Sequence, residues 1–95
     1  MQMSEIFGGG AIEQARILVV DDEILNVNLL VTLLGRADLG EIKGLTESRE
    51  VLDAVTAFDP DVILLDLHMP APDGWTLLDK IKRITPGDVY RPVIV

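Results

Sequence analysis

The pattern of apolar and polar positions changes its spacing several times along this chain. Aliphatic runs such as residues 17–20 and 62–65 are typical of strands that are buried on both faces of a parallel sheet. Between these runs, apolar residues recur at every third or fourth position, which places them on one face of a helix. The resulting order is strand, helix, strand, helix, strand, helix, strand. Such a series predicts an α/β fold, in which a parallel sheet carries helices on both faces.

The limits of the folded part follow from the same pattern. Residues 1–15 contain Gly8-Gly9-Gly10 and no sustained spacing, so a flexible N-terminal tail or linker is predicted there. Residues 16–95 then form one domain. Within this domain, strands are predicted at residues 17–20, 41–46, 61–66 and 92–95.

The three predicted helices differ in how much apolar surface they present. The first, from residue 23 to about 36, carries two apolar rows, so a neighbour in addition to the sheet is expected. Ser48 is predicted to cap the second helix and Asp73 the third. The rows of the first helix are Ile24, Val27, Leu30, Val31 and Leu34, beside Leu25, Leu29 and Leu33; the other helix residues expected to face inward are Val51, Leu52, Val55, Phe58, Leu77, Leu78, Ile81 and Ile84.

Composition narrows the class of protein. The chain has 95 residues, of which 48% are hydrophobic, enough for one small domain with a packed core. No run approaches the ~18 apolar residues of a membrane span, and no secretory signal is recognisable, so no membrane partner is expected. The absence of cysteine excludes disulfides and fits a cytoplasmic location. A net charge of −8 argues against direct binding of nucleic acid.

Acidic residues follow two of the predicted strands. Asp21 and Asp22 come directly after the first strand, and Asp66 ends the third. Ligands of open parallel sheets bind beyond the carboxyl ends of the strands, where the strand order reverses. If these two strands are neighbours, the three carboxylates converge, and a hard cation such as Mg²⁺ would offset their repulsion. The competing interpretation is that Asp22 or Glu23 merely caps the next helix.

The chain resembles the receiver domain of two-component response regulators, the CheY-like fold, from about residue 16 to its end. The matching stretches are Val19-Val20-Asp21-Asp22-Glu23, then residues 60–66, then Met69-Pro70 with Asp73-Gly74, and Arg91-Pro92-Val93-Ile94-Val95. The resemblance implies a flavodoxin-like sheet. It also implies a non-enzymatic phosphoacceptor in a phosphorelay, which receives a phosphoryl group in a Mg²⁺-dependent reaction from a sensor histidine kinase or phosphotransfer protein.

The resemblance implies a role for each matching site residue. Asp66 would be the phosphoacceptor and a Mg²⁺ ligand. Asp22 would also bind Mg²⁺ directly, Asp21 would act mainly through bound water, and the backbone carbonyl of His68 would be a further ligand. The residues from Met69-Pro70 to Asp73-Gly74 would shape the loop above Asp66, because proline fixes the backbone and glycine allows a tight approach.

Three other interpretations use the same residues. A phosphohydrolase of the haloacid dehalogenase type would use Asp66 as nucleophile but expects a second acid where His68 stands. A cobalamin-binding motif shares Asp66 and His68, yet its glycine position is occupied by Ala71. A degenerate receiver would serve only in protein interaction or dimerisation. His68 is expected to be a variable side chain at the rim of the site, without an assigned catalytic role, and Trp75 is expected to contribute to the packing of the third helix.

Receiver domains have five strands and five helices, and this chain offers four strands and three helices. A Ser or Thr after the fourth strand and a Lys after the fifth would both lie beyond Val95. The expectation is therefore a truncated receiver, with the second apolar row of the first helix exposed and the fourth strand as a free edge. Self-association through that edge or through the first helix is expected.

Overall fold

The computed structural model describes residues 15–37, 40–70 and 72–95. The order of elements agrees with the order predicted from the sequence. Of the predicted tail only Ala15 lies among the described residues; it is buried, and its carbonyl accepts a hydrogen bond from the backbone N–H of Glu41 at 3.1 Å. The strands are β1 (Arg16–Val20), β2 (Glu41–Leu45), β3 (Val62–Leu65) and β4 (Val93–Ile94), and the helices are α1 (Ile24–Arg36), α2 (Val51–Phe58) and α3 (Gly74–Ile84).

The four strands form one parallel sheet in the order β2-β1-β3-β4. The chain moves from β1 outward to β2 and then crosses to the other side of β1 to form β3, so the strand order reverses between β1 and β3. In the register, Val20 at the end of β1 lies opposite Leu45 of β2 and Leu65 of β3. The carboxyl ends of β1 and β3 are therefore adjacent, which is the condition that the predicted site requires.

The core lies on both faces of this sheet, as predicted. Alternate residues of β1 and β3 point to opposite faces, because successive side chains in a strand alternate. On one face they pack against α2 and α3, and on the other against α1. Full burial of one such aliphatic side chain contributes about 1.5–3 kcal/mol. The first face comprises Leu18, Val20, Ile63, Leu65, Val51, Val55, Leu77 and Ile81, and the second comprises Ile17, Val19 and Val62 with Leu30 and Leu34.

The start of α2 differs from the prediction. A turn of 3₁₀ helix at Ser48–Glu50 precedes α2, and no side-chain hydrogen bond caps either element. The predicted N-cap role of Ser48 is therefore wrong. Its hydroxyl instead donates to the carbonyl oxygen of Pro70 at 3.4 Å, a contact with the loop that follows β3.

The end of α3 also differs. Leu77 and Ile81 are buried, but Ile84 is 44% exposed, so its predicted burial is wrong. Ile84 lies seven residues after Leu77 and hence on the same stripe of the helix. Its exposure comes from its position as the last helical residue rather than from the face that it occupies.

Arg91 connects several elements at the end of the sheet that lies opposite to the acidic residues. Its side chain is only 4% exposed, and its guanidinium donates to the carbonyl of Pro60 and to the hydroxyl of Thr85, each at 2.8 Å. It also forms an ion pair with Asp59. Asp59 ends α2 with a φ of 51°, the left-handed conformation common after a helix. The Arg91 guanidinium thus joins the ends of α2 and α3 to the beginning of β3.

Across the described ranges, no helix is both long and apolar enough to cross a lipid bilayer.

Candidate functional site

Backbone hydrogen bonds continue beyond the strands and fix the positions of two acids. The N–H of Asp66 donates to the carbonyl of Val20 at 2.9 Å, and the N–H of Asp21 donates to the carbonyl of Leu45 at 3.1 Å. Both residues therefore stay in the hydrogen-bonding register of the sheet. This extension holds their side chains at the edge where β1 and β3 end.

Asp21, Asp22 and Asp66 come together as predicted. One carboxylate oxygen of each lies within 4.8 Å of the others; Asp22 is exposed, while Asp21 and Asp66 are half-buried. The two ion pairs found among the described residues, Arg83 with Asp79 and Arg91 with Asp59, involve none of these three acids. Like charges this close repel one another, and an all-oxygen donor set suits Mg²⁺. The residues present therefore fit the cation that the family implies.

The acidic pair does not cap the following helix. Glu23 is the N-cap residue of α1 and makes no side-chain capping bond. Its backbone N–H instead donates to Oδ1 of Asp21 at 2.9 Å. The first turn of α1 is connected through backbone bonds from Asn26 and Val27 to the carbonyl of Glu23. Helix capping therefore does not account for Asp22 or Glu23, and this removes the simplest competing explanation for the pair.

The loop after β3 holds the carboxylate of Asp66 and is itself anchored in the core. The backbone N–H of His68 donates to Oδ1 of Asp66 at 2.9 Å, which restricts rotation of the carboxylate. Met69 is only 6% exposed and belongs to the core beneath α2 and α3, so the loop is anchored by apolar burial. The side chain of His68 is exposed. The use of its carbonyl as a metal ligand stays a prediction.

The start of α3 supports the same loop. Asp73 caps the helix as predicted, with Oδ1 accepting the backbone N–H of Thr76 at 2.8 Å. This backbone hydrogen bond, together with one from the Thr76 side chain, lowers the pKa of the Asp73 carboxyl below its ordinary value. Gly74 is buried, and a Cβ there would lie 2.3 Å from the Cα of Leu67 and 2.5 Å from the carbonyl oxygen of Asp66. The tight approach expected of this glycine is present.

Trp75 does not pack as predicted. Its side chain is 63% exposed at the first turn of α3, next to Gly74. The buried stripe of this amphipathic helix runs through Gly74, Leu77 and Ile81, so Trp75 lies off that stripe.

One polar residue at the site was not singled out from the sequence. The side-chain Nδ2 of Asn26 donates to Oδ2 of Asp21 at 3.2 Å. Asn26 also lines an open cleft of about 420 Å³ that contains Asp21 and Asp66 and is bordered by Leu30 and Ile94. The sequence feature that could have identified Asn26 is its position in the first turn of the helix directly after Asp21 and Asp22.

A parallel sheet with acids where the strand order reverses is an α/β domain with a candidate ligand site at that reversal. The family model described as the response regulator receiver domain matches residues 17–95. The chain belongs to this receiver domain family. The predicted CheY-like, flavodoxin-like fold and the predicted place in two-component signalling are thereby confirmed.

Solved structures show the same fold. The chain is similar to the N-terminal domain of a response regulator receiver protein from Methanoculleus marisnigri JR1, with a TM-score of 0.74 and 34% identity over 85% of this chain and 66% of that one. It also resembles the BeF3-activated N-terminal receiver domain of RstA from Klebsiella pneumoniae, with a TM-score of 0.70 over 82% of this chain and 66% of that one. The identity in that second case is 23%, which supports the fold alone.

Curated relatives are much longer than the matched region. Two proteins named protein-glutamate methylesterase/protein-glutamine glutaminase are 36% identical over 81 residues in Hahella chejuensis and 39% identical over 80 residues in Rhodopseudomonas palustris. Each match covers 84% of this chain, but only 22% and 21% of the relative. The chain spans about a fifth of the length of these relatives.

Proposed function

We propose that this chain is a phosphoacceptor in which Asp66 receives a phosphoryl group from the phosphohistidine of a sensor histidine kinase or phosphotransfer protein. The observation that carries the proposal is the convergence of Asp66 with Asp21 and Asp22 within 4.8 Å, at the carboxyl ends of two neighbouring strands. Membership in the receiver family supports the same assignment.

The proposed reaction is a substitution at phosphorus. A carboxylate oxygen of Asp66 forms a P–O bond while the P–N bond to the donor imidazole breaks, and the imidazole nitrogen keeps that electron pair. The product is an acyl phosphate. His68 N–H holds Oδ1, and within the described residues no hydrogen bond reaches Oδ2. We therefore assign the attack to Oδ2, because attack by this oxygen does not require an existing hydrogen bond to break.

Mg²⁺ is the proposed cofactor. Asp22 and Asp66 would bind it directly, Asp21 would act through bound water, and the carbonyl of His68 would complete the protein ligands. When bound, the ion supplies positive charge that neutralises the phosphoryl oxygens. The protein positions two of the carboxylates before any ligand binds. Backbone hydrogen bonds join Asp66 to β1 and Asp21 to β2.

We propose a receiving and switching role rather than an enzymatic one. The methylesterase and glutaminase activities in the relatives' names belong to proteins of which the matched region is about a fifth. A phosphohydrolase of the haloacid dehalogenase type expects an acid at the position of His68. The predicted cytoplasmic location stays part of this proposal.

The proposal is tested by incubating the protein with Mg²⁺ and acetyl phosphate and following its intact mass. We expect the gain of one phosphoryl group, lost on removal of Mg²⁺ and in Asp66→Asn. Asp61→Asn is the matched control, because Asp61 is an exposed acid at the opposite end of β3. An equal gain in Asp66→Asn would contradict the assignment. No gain and no Mg²⁺ binding would favour a degenerate receiver, and steady turnover of a phosphate ester would favour the phosphohydrolase.

We also propose self-association through α1 or the edge strand β4. The supporting observation is the row of Leu25, Leu29 and Leu33 on α1, which are 75%, 57% and 50% exposed. An apolar row of this length is typical of an interaction surface. Sedimentation velocity over a concentration series should show a concentration-dependent increase in mass, and a monomer at every concentration would contradict the proposal.

A further inference from the structure

Both oxygens of Asp21 already have partners within the protein. Oδ1 accepts the backbone N–H of Glu23 at 2.9 Å, and Oδ2 accepts the side-chain Nδ2 of Asn26 at 3.2 Å. The first bond comes from the N-cap residue of α1, and the second comes from the first turn of the same helix. Two donors at different oxygens fix the plane of a carboxylate, which a single bond does not.

Asn26 makes this contact as a donor, and its role is not that of a helix cap. A capping side chain accepts a backbone N–H, whereas the amide of Asn26 donates to a side chain. The reverse orientation would place the amide oxygen against a carboxylate oxygen, which is repulsive, so the nitrogen must face Asp21. The backbone of Asn26 is itself held by its N–H bond to the carbonyl of Glu23 at 3.0 Å.

We infer that Asn26 is a positioning residue for the cation site, which acts by fixing the orientation of Asp21. A carboxylate offers about four lone-pair positions, of which two are used by Glu23 and Asn26. The other two are available to a metal-bound water. Asn26, Asp21 and Asp66 line the same cleft, so the carboxylate that Asn26 holds lies beside the proposed phosphoacceptor. This inference rests on the proposed function, and it adds a residue outside the ligand set.

Loss of Asn26 should weaken the cation site without unfolding the domain. Side chains that orient metal ligands typically contribute 10- to 100-fold in metal affinity. Asn26 is exposed and outside the core, so removal of its amide leaves apolar packing unchanged. Asn28 provides a matched control, because it is an exposed asparagine on the same helix and makes no side-chain hydrogen bond among the described residues.

The test is an NMR titration of the ¹⁵N-labelled protein with MgCl₂. The backbone N–H of Glu23 donates to Asp21 and reports its orientation, while that of His68 donates to Asp66 and serves as a reference before Mg²⁺ is added. In Asn26→Ala we expect a shifted Glu23 amide before any Mg²⁺ is added, an unchanged His68 amide, and a Kd for Mg²⁺ about tenfold higher. Asn26→Gln, which keeps the donor, should restore part of the affinity, and Asn28→Ala should match the wild type.

The outcomes distinguish the positioning role of Asn26 from the proposed phosphoacceptor function. If the wild type binds Mg²⁺ and Asn26→Ala shows the same Kd and the same Glu23 amide shift, the inference is overturned while the proposed function stands. If neither the wild type nor Asn28→Ala gives saturable shifts with Mg²⁺, the proposed function fails, and the positioning role fails with it. Equal thermal unfolding midpoints without Mg²⁺ would show that any loss of affinity is local.

Discussion

Replacement of Gly74 by alanine should destabilise the domain and slow the proposed phosphorylation of Asp66. The new Cβ would lie 2.3 Å from the Cα of Leu67 and 2.5 Å from the carbonyl oxygen of Asp66. Ordinary contacts of this kind begin at 3.4 Å, so the backbone must move by about 1 Å. Overpacking of this type costs about 1–3 kcal/mol, and the better helix propensity of alanine returns up to about 1 kcal/mol.

The functional effect should exceed the effect on stability. Catalytic groups tolerate about 0.5 Å of displacement, and a shift of about 1 Å can reduce a rate by up to about 100-fold. We therefore expect Gly74→Ala to lose about 1–2 kcal/mol of unfolding free energy in urea, and its phosphorylation by acetyl phosphate to slow by about 10- to 100-fold.

Gly35→Ala is the matched control for this substitution. Gly35 is also helical, but nothing lies within 4 Å of the Cβ that alanine would add. This variant should be as stable as the wild type or slightly more stable, with an unchanged phosphorylation rate. If Gly74→Ala behaves like Gly35→Ala in both measurements, the close contact between α3 and the Asp66 loop does not constrain that loop, which would contradict this prediction.

Three further predictions concern other parts of the domain. Arg91→Ala should lower the unfolding free energy by about 3 kcal/mol in urea denaturation, since it loses three hydrogen bonds, each worth about 1 kcal/mol; a loss under 0.5 kcal/mol would contradict this. Leu29→Lys should stay within about 0.5 kcal/mol of the wild type because Leu29 is 57% exposed, whereas Val27→Ala, at a site 4% exposed, should lose about 1–3 kcal/mol. Asp73 has a lowered pKa, so the stability it contributes is present above its ordinary value of 3.8 and is lost as pH falls through the folded value. Wild type and Asp73→Asn should therefore converge in stability as pH falls below 3.8, and a constant difference across that range would argue against the lowered pKa of Asp73.

Much of the fold was predictable because the strong signals are local. The run Val62–Leu65 is apolar throughout, which is typical of a strand covered on both faces, and Asp66 follows it directly. The spacing within α1 and α3 placed their inner faces correctly at Val27, Leu77 and Ile81. Convergence of the acids then followed from a general rule about the ends of parallel strands, once β1 and β3 were neighbours.

The predictions from the sequence failed at positions where tertiary contacts override the local pattern. Ser48 has the composition of an N-cap, but its hydroxyl contacts the loop at Pro70 instead. Ile84 has the right spacing for burial, yet it lies at a helix end without cover. Asn26 was missed because its partner, Asp21, lies five positions away across a strand-to-helix junction, and no helical or strand period relates such a pair.

The most direct test of the central claim is to locate the phosphoryl group. After incubation with Mg²⁺ and acetyl phosphate, borohydride reduction converts an aspartyl acyl phosphate into homoserine, which peptide mass spectrometry identifies by position. We predict homoserine at residue 66 alone, with Asp21, Asp22 and the exposed Asp61 unchanged. Homoserine at one of those three positions, or at none in a protein that binds Mg²⁺, would contradict it.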